Sequence, residues 1–423
     1  MHKLTVMENG LSVITSEMEN MTSVSLGVWI GVGGRYESRE KSGISHLVEH
    51  MLFKGTLSRS TKELKQAVEG VGGAFNGFTS DEATCYMVKV PKKHMELGLD
   101  VLSDMVLRAK FDPGDLAREK FVIYEEIKMY RDQPAEHVLE LLAGLMWPGN
   151  ALGRSLTGTV QSVDAASRED IINFREEYYH PGNISIVAAG NVGHKKLSAC
   201  SEKLFCRYPR GNKNVLSPPE IKKDGPRFKF SRGNTKQAHI AMGFYCPVKT
   251  DKEKFAVNIM NIILGGNMSS RLFEHLREEQ GLCYDISSVY KRYSDVGEVQ
   301  IHAGVDNEKV VRSVVSIIKE LGRISSGMVS RGELSRAKEY MKGQFLLAIE
   351  GTSNRMLWLG DRFVVHKRIP EVDAVLKKID AVTRRDIKNA ACGIFSRDFA
   401  NLALISRTSE KEKETMIRKV RKL

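Results

Sequence analysis

Two rhythms of apolar residues alternate along this chain and divide it into strands and helices. Residues 4–15 and 22–32 predict strands. From residue 44 the spacing becomes helical: at about 100° of rotation per residue, Ile44, Leu47, Val48 and Met51 share one face, and His46, Glu49 and His50 fall on the opposite one. One face is thus suited to a core while the other lines a cleft. A helix near 61–70, a strand pair over 72–80 and 82–88, and a helix over 93–109 follow. Asp112-Pro113, with Asp as N-cap and Pro at the first helical position, starts another helix. Helices over 134–147 and 167–178 lead through the turn cluster His180-Pro181-Gly182-Asn183 to a strand over 184–189. The tail from Ser409 to Leu423 alternates Glu and Lys and predicts a solvated, fraying helix.

Residues 207–226 break the rhythm with Pro, Gly and charge and mark a linker between halves of nearly equal length. The halves are alike. Val163-Asp164-Ala165-Ala166-Ser167-Arg168-Glu169-Asp170-Ile171 reappears as Ile379-Asp380-Ala381-Val382-Thr383-Arg384-Arg385-Asp386-Ile387, an offset of 216. Asp115-Leu116-Ala117-Arg118-Glu119-Lys120 resembles Glu333-Leu334-Ser335-Arg336-Ala337-Lys338 at an offset of 218. A duplicated domain is the reading, with residues 1–208 as the first copy, 209–226 as linker and 227–423 as the second copy.

At 423 residues and 42% hydrophobic content, two or more domains with sizeable cores are expected. The formal charge of +12 and pI near 9.3 fit nucleic acid, an anionic surface or acidic substrates. The basic residues are scattered, however, without any nucleic-acid-binding signature, so no nucleic-acid partner is expected. Six cysteines without paired spacing read as reduced thiols. With no signal, transit or membrane-spanning pattern visible, the expectation is a cytoplasmic protein with no membrane partner. Gly31-Val32-Gly33-Gly34 lacks the third glycine of a dinucleotide loop and reads as a close approach of backbones.

The chemistry concentrates at His46-Leu47-Val48-Glu49-His50. Neutral imidazoles at i and i+4 can share one Zn²⁺, and a carboxylate at i+3 stands beside the metal as a base toward water. The alternative is a pair of helix histidines that only hydrogen-bond or face solvent. H-x-x-E-H supplies two protein ligands, so a catalytic zinc needs a third, and a downstream helix carboxylate is the expected type. Glu119 and Glu126, seven residues apart, share a helix face beside Val122 and Ile123. The duplication acts as an internal control. Glu119 faces Ala337 and Glu126 faces Gln344, and Phe255 to Leu264, matching the zinc helix, contains no histidine. Metal chemistry therefore belongs to the first half. In the second half, Gly265 to Tyr284 reads by composition as a helix-capping turn followed by surface arginines.

Together these residues resemble the pitrilysin, insulinase and mitochondrial-processing-peptidase family of zinc metallopeptidases, over essentially the whole chain. The family's metal-binding Glu follows the motif by about 76 residues, and Glu126 lies 76 beyond His50. The resemblance implies one zinc held by His46, His50 and Glu126, with Glu49 as general base and Glu119 orienting a histidine. It implies peptide binding along the edge stretch 73–79, through Asn76, Gly77 and Phe78 of the motif-like segment Asn76-Gly77-Phe78-Thr79-Ser80, where the family usually has Ala at 77, and contacts to substrate from Arg277 and Tyr284. The expected fold is α+β: two homologous domains, each a mostly antiparallel sheet packed with helices, related by a pseudo-twofold duplication. The expected activity is endopeptidase cleavage of extended peptides in a chamber between domains, by a homodimer or a heterodimer with a related subunit. The rival expectation is a catalytically idle scaffold or partner subunit of the same fold.

Overall fold

A computed structural model describes residues 2–212, 216, 218–221, 223–233, 235–246 and 250–423. The chain forms two compact units: Met1–Lys128 with Arg154–Ser217 and Phe345–Glu371, and Met129–Gly153 with Pro218–Gln344 and Val372–Leu423. The candidate linker at 209–226 lies partly outside the described residues.

The first sequence half contributes strands β1 (Lys3–Val6), β2 (Ser12–Glu17) and β3 (Ser23–Ile30), helices α1 (Ile44–Leu52) and α2 (Thr61–Glu69), and strands β4 (Ala74–Thr79) and β5 (Thr84–Pro91). Helices α3 (Met95–Arg108), α4 (Pro113–Asp132), α5 (Pro134–Met146), α6 (Val160–Ala165) and α7 (Arg168–Tyr178) follow, then β6 (Ile184–Gly190) and α8 (His194–Phe205). The strands form one sheet in the order β1-β2-β6-β3-β5-β4, antiparallel except where Val13 of β2 runs parallel to Ile186 of β6.

The second half repeats this plan. Strands β7 (Arg227–Arg232) and β8 (Gln237–Tyr245) precede α9 (Asp251–Gly265) and a π-helical stretch at Phe273–Glu279. Then come β9 (Cys283–Arg292), β10 (Gly297–Asp306), helices α10 (Val310–Ser326), α11 (Arg331–Ala348), α12 (Thr352–His366), α13 (Val372–Asp380) and α14 (Arg384–Ile394), strand β11 (Ala400–Ser406) and α15 (Glu410–Val420). The sheet order β7-β11-β8-β10-β9, again with its one parallel pair at β7 and β11, is the first order without β1. The duplication therefore extends to strand order and direction.

The compact units differ from the contiguous halves that the repeats suggest. Residues 129–153 join the second unit and residues 345–371 the first. The cause is packing. In the first unit one sheet face packs on α3, with Leu26, Val28 and Val88 against Leu99 and Leu102 in one buried cluster. The opposite face, carrying Ile14, Trp29, Val187 and Ala189, is covered by Met356, Leu359 and Phe363 of α12. Glycine permits the approach, since a Cβ on Gly360 would lie 2.1 Å from the Trp29 ring. In the second unit α5 plays the matching part, Val138, Leu142 and Met146 packing on Ala241, Tyr245 and Ala403.

Two local expectations change and one, borne out as α7, gains a neighbour. The strand expected over 4–15 is a hairpin of β1 and β2, because Asn9-Gly10 turns the chain with Gly10 at φ +89°, in the left-handed region glycine tolerates. The helix expected over 167–178 is preceded by a separate one, α6, whose Thr159 cap is paired with Ser162. The C-terminal tail is not a fraying helix. Ser409 and Glu412 cap α15 reciprocally, and Met416 and Val420 are fully buried in the second unit, where α15 packs on α10. Gly33 does mark a close approach, its would-be Cβ lying 2.0 Å from the Ser80 carbonyl oxygen. Among the described residues no helix is long and apolar enough to cross a membrane.

Candidate metal centre

Helix α1 is held at both its flank and its start. Ile44, Leu47, Val48, Met51 and Leu52 are buried in the core of the first unit. Gly43 precedes it at φ +89°. The first-turn N–H groups that no helix can satisfy internally find a carboxylate: Glu37 accepts from Gly43 N (2.7 Å) and Ser45 N (2.8 Å). Glu37 is itself buried, and burial pushes its carboxyl up to about 7 against the pull of those two hydrogen bonds. Residue 46 therefore emerges from a fixed first turn with its imidazole on the face away from the core.

Helix α4 brings the carboxylates. Leu116, Ile123 and Ile127 bury one side of it, and Lys120 and Tyr124 tie it to Asp164 of α6. Glu126 Oε2 stands 3.7 Å from His46 Nε2 and 3.9 Å from His50 Nε2. Among the described residues, these three side chains are the one group of His, Cys, Asp or Glu whose donor atoms lie close enough, all within 4.8 Å, to hold a metal ion. In a tetrahedral zinc site with bonds of roughly 2.0–2.2 Å the donors stand somewhat over 3 Å apart, so a small contraction completes the set. Glu126 Oε2 is buried and accepts no hydrogen bond. Such an orphaned acceptor, aimed at two imidazole nitrogens, is what a cation would satisfy.

The surrounding charges are ordered to suit. Burial pushes His46 down to about 4, with the neighbouring His50 adding to the effect, so its ring is neutral and able to bind a metal. Glu119 Oε2 lies 3.1 Å from His50 Nδ1 and its Oε1 2.7 Å from Lys54 Nζ. Burial alone would raise Glu119, but the bonds to His50 and Lys54 outweigh it and hold the carboxyl below its ordinary value. An ionised Glu119 keeps the proton of His50 on Nδ1 and turns Nε2 toward Glu126. Glu49 is buried beside the ligands, and burial raises its carboxyl, opposed by the Thr79 hydroxyl, which donates to Oε2 at 2.7 Å.

The residues of the expected edge strand divide between the two faces of β4, which ends the sheet. A Cβ on Gly77 would meet Glu49 Oε1 at 3.2 Å and the Phe53 ring at 3.0 Å, so position 77 faces α1. Asn76 and Phe78 point the other way. Asn76 folds its Oδ1 back onto Gly77 N (2.9 Å), and Phe78 packs edge-on against Trp29 at 5.5 Å. Arg277 and Tyr284 lie in the second unit. The Arg277 guanidinium sits over the rings of Phe273 (4.5 Å) and Tyr284 (5.5 Å), and Tyr284 is 75% exposed.

Lys54 and Glu37 escaped the sequence reading, and so did the contact of Thr79 with Glu49, although Thr79 lies in the expected edge stretch. Lys54 stands one helical turn past His50, and that spacing alone could have suggested it. Thr79 shares a face with Gly77 by the twofold period of a strand. Glu37 left no local signal, since its partners depend on the path of the loop before α1.

His46, His50 and Glu126, able to hold a metal ion beside the buried Glu49 on a duplicated α+β fold, have the residue types and spacing of the H-x-x-E-H class. The sequence profile of "Insulinase (Peptidase family M16)" matches residues 12–160, and that of the "Peptidase M16 inactive domain" matches residues 165–341. The chain belongs to peptidase family M16. A Bacillus subtilis protein named uncharacterized zinc protease YmxG is 34% identical over 94% of this chain and 97% of its own length. A Streptomyces coelicolor protein, also named an uncharacterized zinc protease, is 32% identical over 93% of this chain and 87% of its own. The crystal structure of a protease from Helicobacter pylori shares the fold, with a TM-score of 0.89 at 21% identity over 96% of this chain and 99% of that one.

Proposed function

We propose that this chain is a zinc endopeptidase that cleaves extended peptides or unfolded segments. The convergence of His46, His50 and Glu126 beside Glu49 carries this reading. Bound zinc, one per chain, supplies polarisation of the scissile carbonyl and a water that loses its proton near neutral pH. Glu49 takes that proton and later delivers it to the leaving amine. Glu119 fixes the His50 tautomer. A peptide adds to the open edge of β4 through its backbone, which reads little of the sequence. Arg277 and Tyr284 bind the substrate carbonyl, and their stacking supports their acting as one patch. The working form is a homodimer or a heterodimer with a related subunit, with the site enclosed so that only unfolded or short peptides enter.

The test pairs zinc analysis with a quenched-peptide assay. Wild type should hold about one zinc per chain and lose cleavage with phenanthroline. Glu49→Gln should keep the zinc and lose cleavage. The second reading, an idle scaffold, draws on the match of residues 165–341 to a domain described as inactive. It expects Glu49→Gln to change nothing.

A further inference from the structure

Resting on the peptidase reading, we propose that Thr79 is a positioning residue that locks one oxygen of Glu49, leaving Oε1 as the atom that receives the proton of the attacking water. Glu49 is 9% exposed and has two oxygens with different surroundings. Oε2 accepts the Thr79 hydroxyl at 2.7 Å. Oε1 faces the bare backbone at Gly77, where a Cβ would stand 3.2 Å away. A carboxylate with one oxygen engaged by a neutral hydroxyl keeps its negative charge and loses its rotational freedom, so its second oxygen holds one direction. The proton leaves the water oxygen for Oε1 as the new bond to the carbonyl carbon forms, and leaves Oε1 for the amine nitrogen as the C–N bond breaks.

The clamp has a second consequence. Thr79 belongs to β4, paired with Thr84 of β5 at the end of the strand whose open edge is the proposed peptide rail. The base is therefore aligned by the element that receives the substrate, and a register set by β4 for the peptide backbone is also set for Glu49.

The test uses Thr79→Val, which keeps shape and removes the hydroxyl, and Thr79→Ser, which keeps the hydroxyl. In Thr79→Val, zinc content should equal that of wild type, KM should stay within about twofold, and kcat should fall roughly tenfold to a hundredfold. Thr79→Ser should recover most of the lost kcat. A readout independent of turnover comes from melting the metal-free proteins in a cycle of wild type, Thr79→Val, Glu49→Ala and the double variant. The two Tm changes should fail to add by about 2–4 °C, as expected for groups in direct contact. Additive Tm changes, equal losses in the Ser and Val variants, or a rise in KM without a fall in kcat would each overturn the clamp. Wild type that binds zinc yet cleaves nothing would refute the peptidase reading and the catalytic role of Thr79 with it. The melting cycle would then still report whether the two side chains are joined.

Discussion

At the scale of single residues, the candidate site is ordered by hydrogen bonds to His50 and Glu49. Glu119 joins His50 Nδ1 to Lys54 Nζ. Glu119→Ala should lower zinc affinity by about ten- to a hundredfold, read by competition against a chelator, while the circular dichroism spectrum stays that of wild type. Unchanged affinity would make the Glu119 contact incidental. The triad itself was legible because helical spacing is arithmetic: i, i+3 and i+4 on α1, and two turns between Glu119 and Glu126 on α4. Thr79 and Glu37 were not, because each acts across a loop, Thr79 on a residue 30 positions away. Phe78 has a placement that follows from the strand period. Alternation along the strand puts it with Asn76 on the face away from Gly77, where its ring meets Trp29.

At the scale of elements, helix α1 is anchored through the Glu37 carboxylate, and this makes stability depend on pH. Its carboxyl titrates near 4.5 in the unfolded chain and at about 7 in the folded protein. The folded state thus binds a proton more tightly, and the contribution of Glu37 to stability declines as pH rises from about 4.5 to about 7. Urea unfolding of metal-free wild type and Glu37→Gln across that window should show wild type losing stability relative to the variant with rising pH. A constant difference would show that Glu37 keeps its ordinary acidity. Elements with strong local rules were read well, α4 by Asp112-Pro113 and α1 by its faces. The tail α15 was misread because Glu and Lys dominate its composition while only Met416 and Val420, four residues apart, meet the core.

At the scale of the whole molecule, the repeat was visible as offsets of 216 and 218 in the sequence and reappears as matched strand orders. The exchange of α5 and α12 between units was not, since repeats align linearly whichever sheet their helices cover. This has a consequence for cutting the chain. A fragment of residues 1–217 lacks α12 and leaves Ile14, Trp29, Val187 and Ala189 uncovered. Expressed alone, it should bind the dye ANS and lack a cooperative melt, and co-expression with residues 218–423 should abolish the ANS binding and recover a cooperative melt. A fragment that melts cooperatively by itself would show that α12 is dispensable to the first unit. The absence of histidine from residues 255–264 also fits this scale: the second copy keeps the fold without the His46 and His50 of the first.

The most direct measurement of the central claim is zinc-edge X-ray absorption on the purified zinc-loaded protein, compared with Glu126→Ala. The account predicts two imidazole nitrogens and carboxylate oxygen at about 2.0–2.2 Å, with the spectrum losing an oxygen neighbour and the zinc binding more weakly in the variant. A wild-type spectrum with sulfur neighbours, with no imidazole scattering, or unchanged on removal of Glu126 would contradict it.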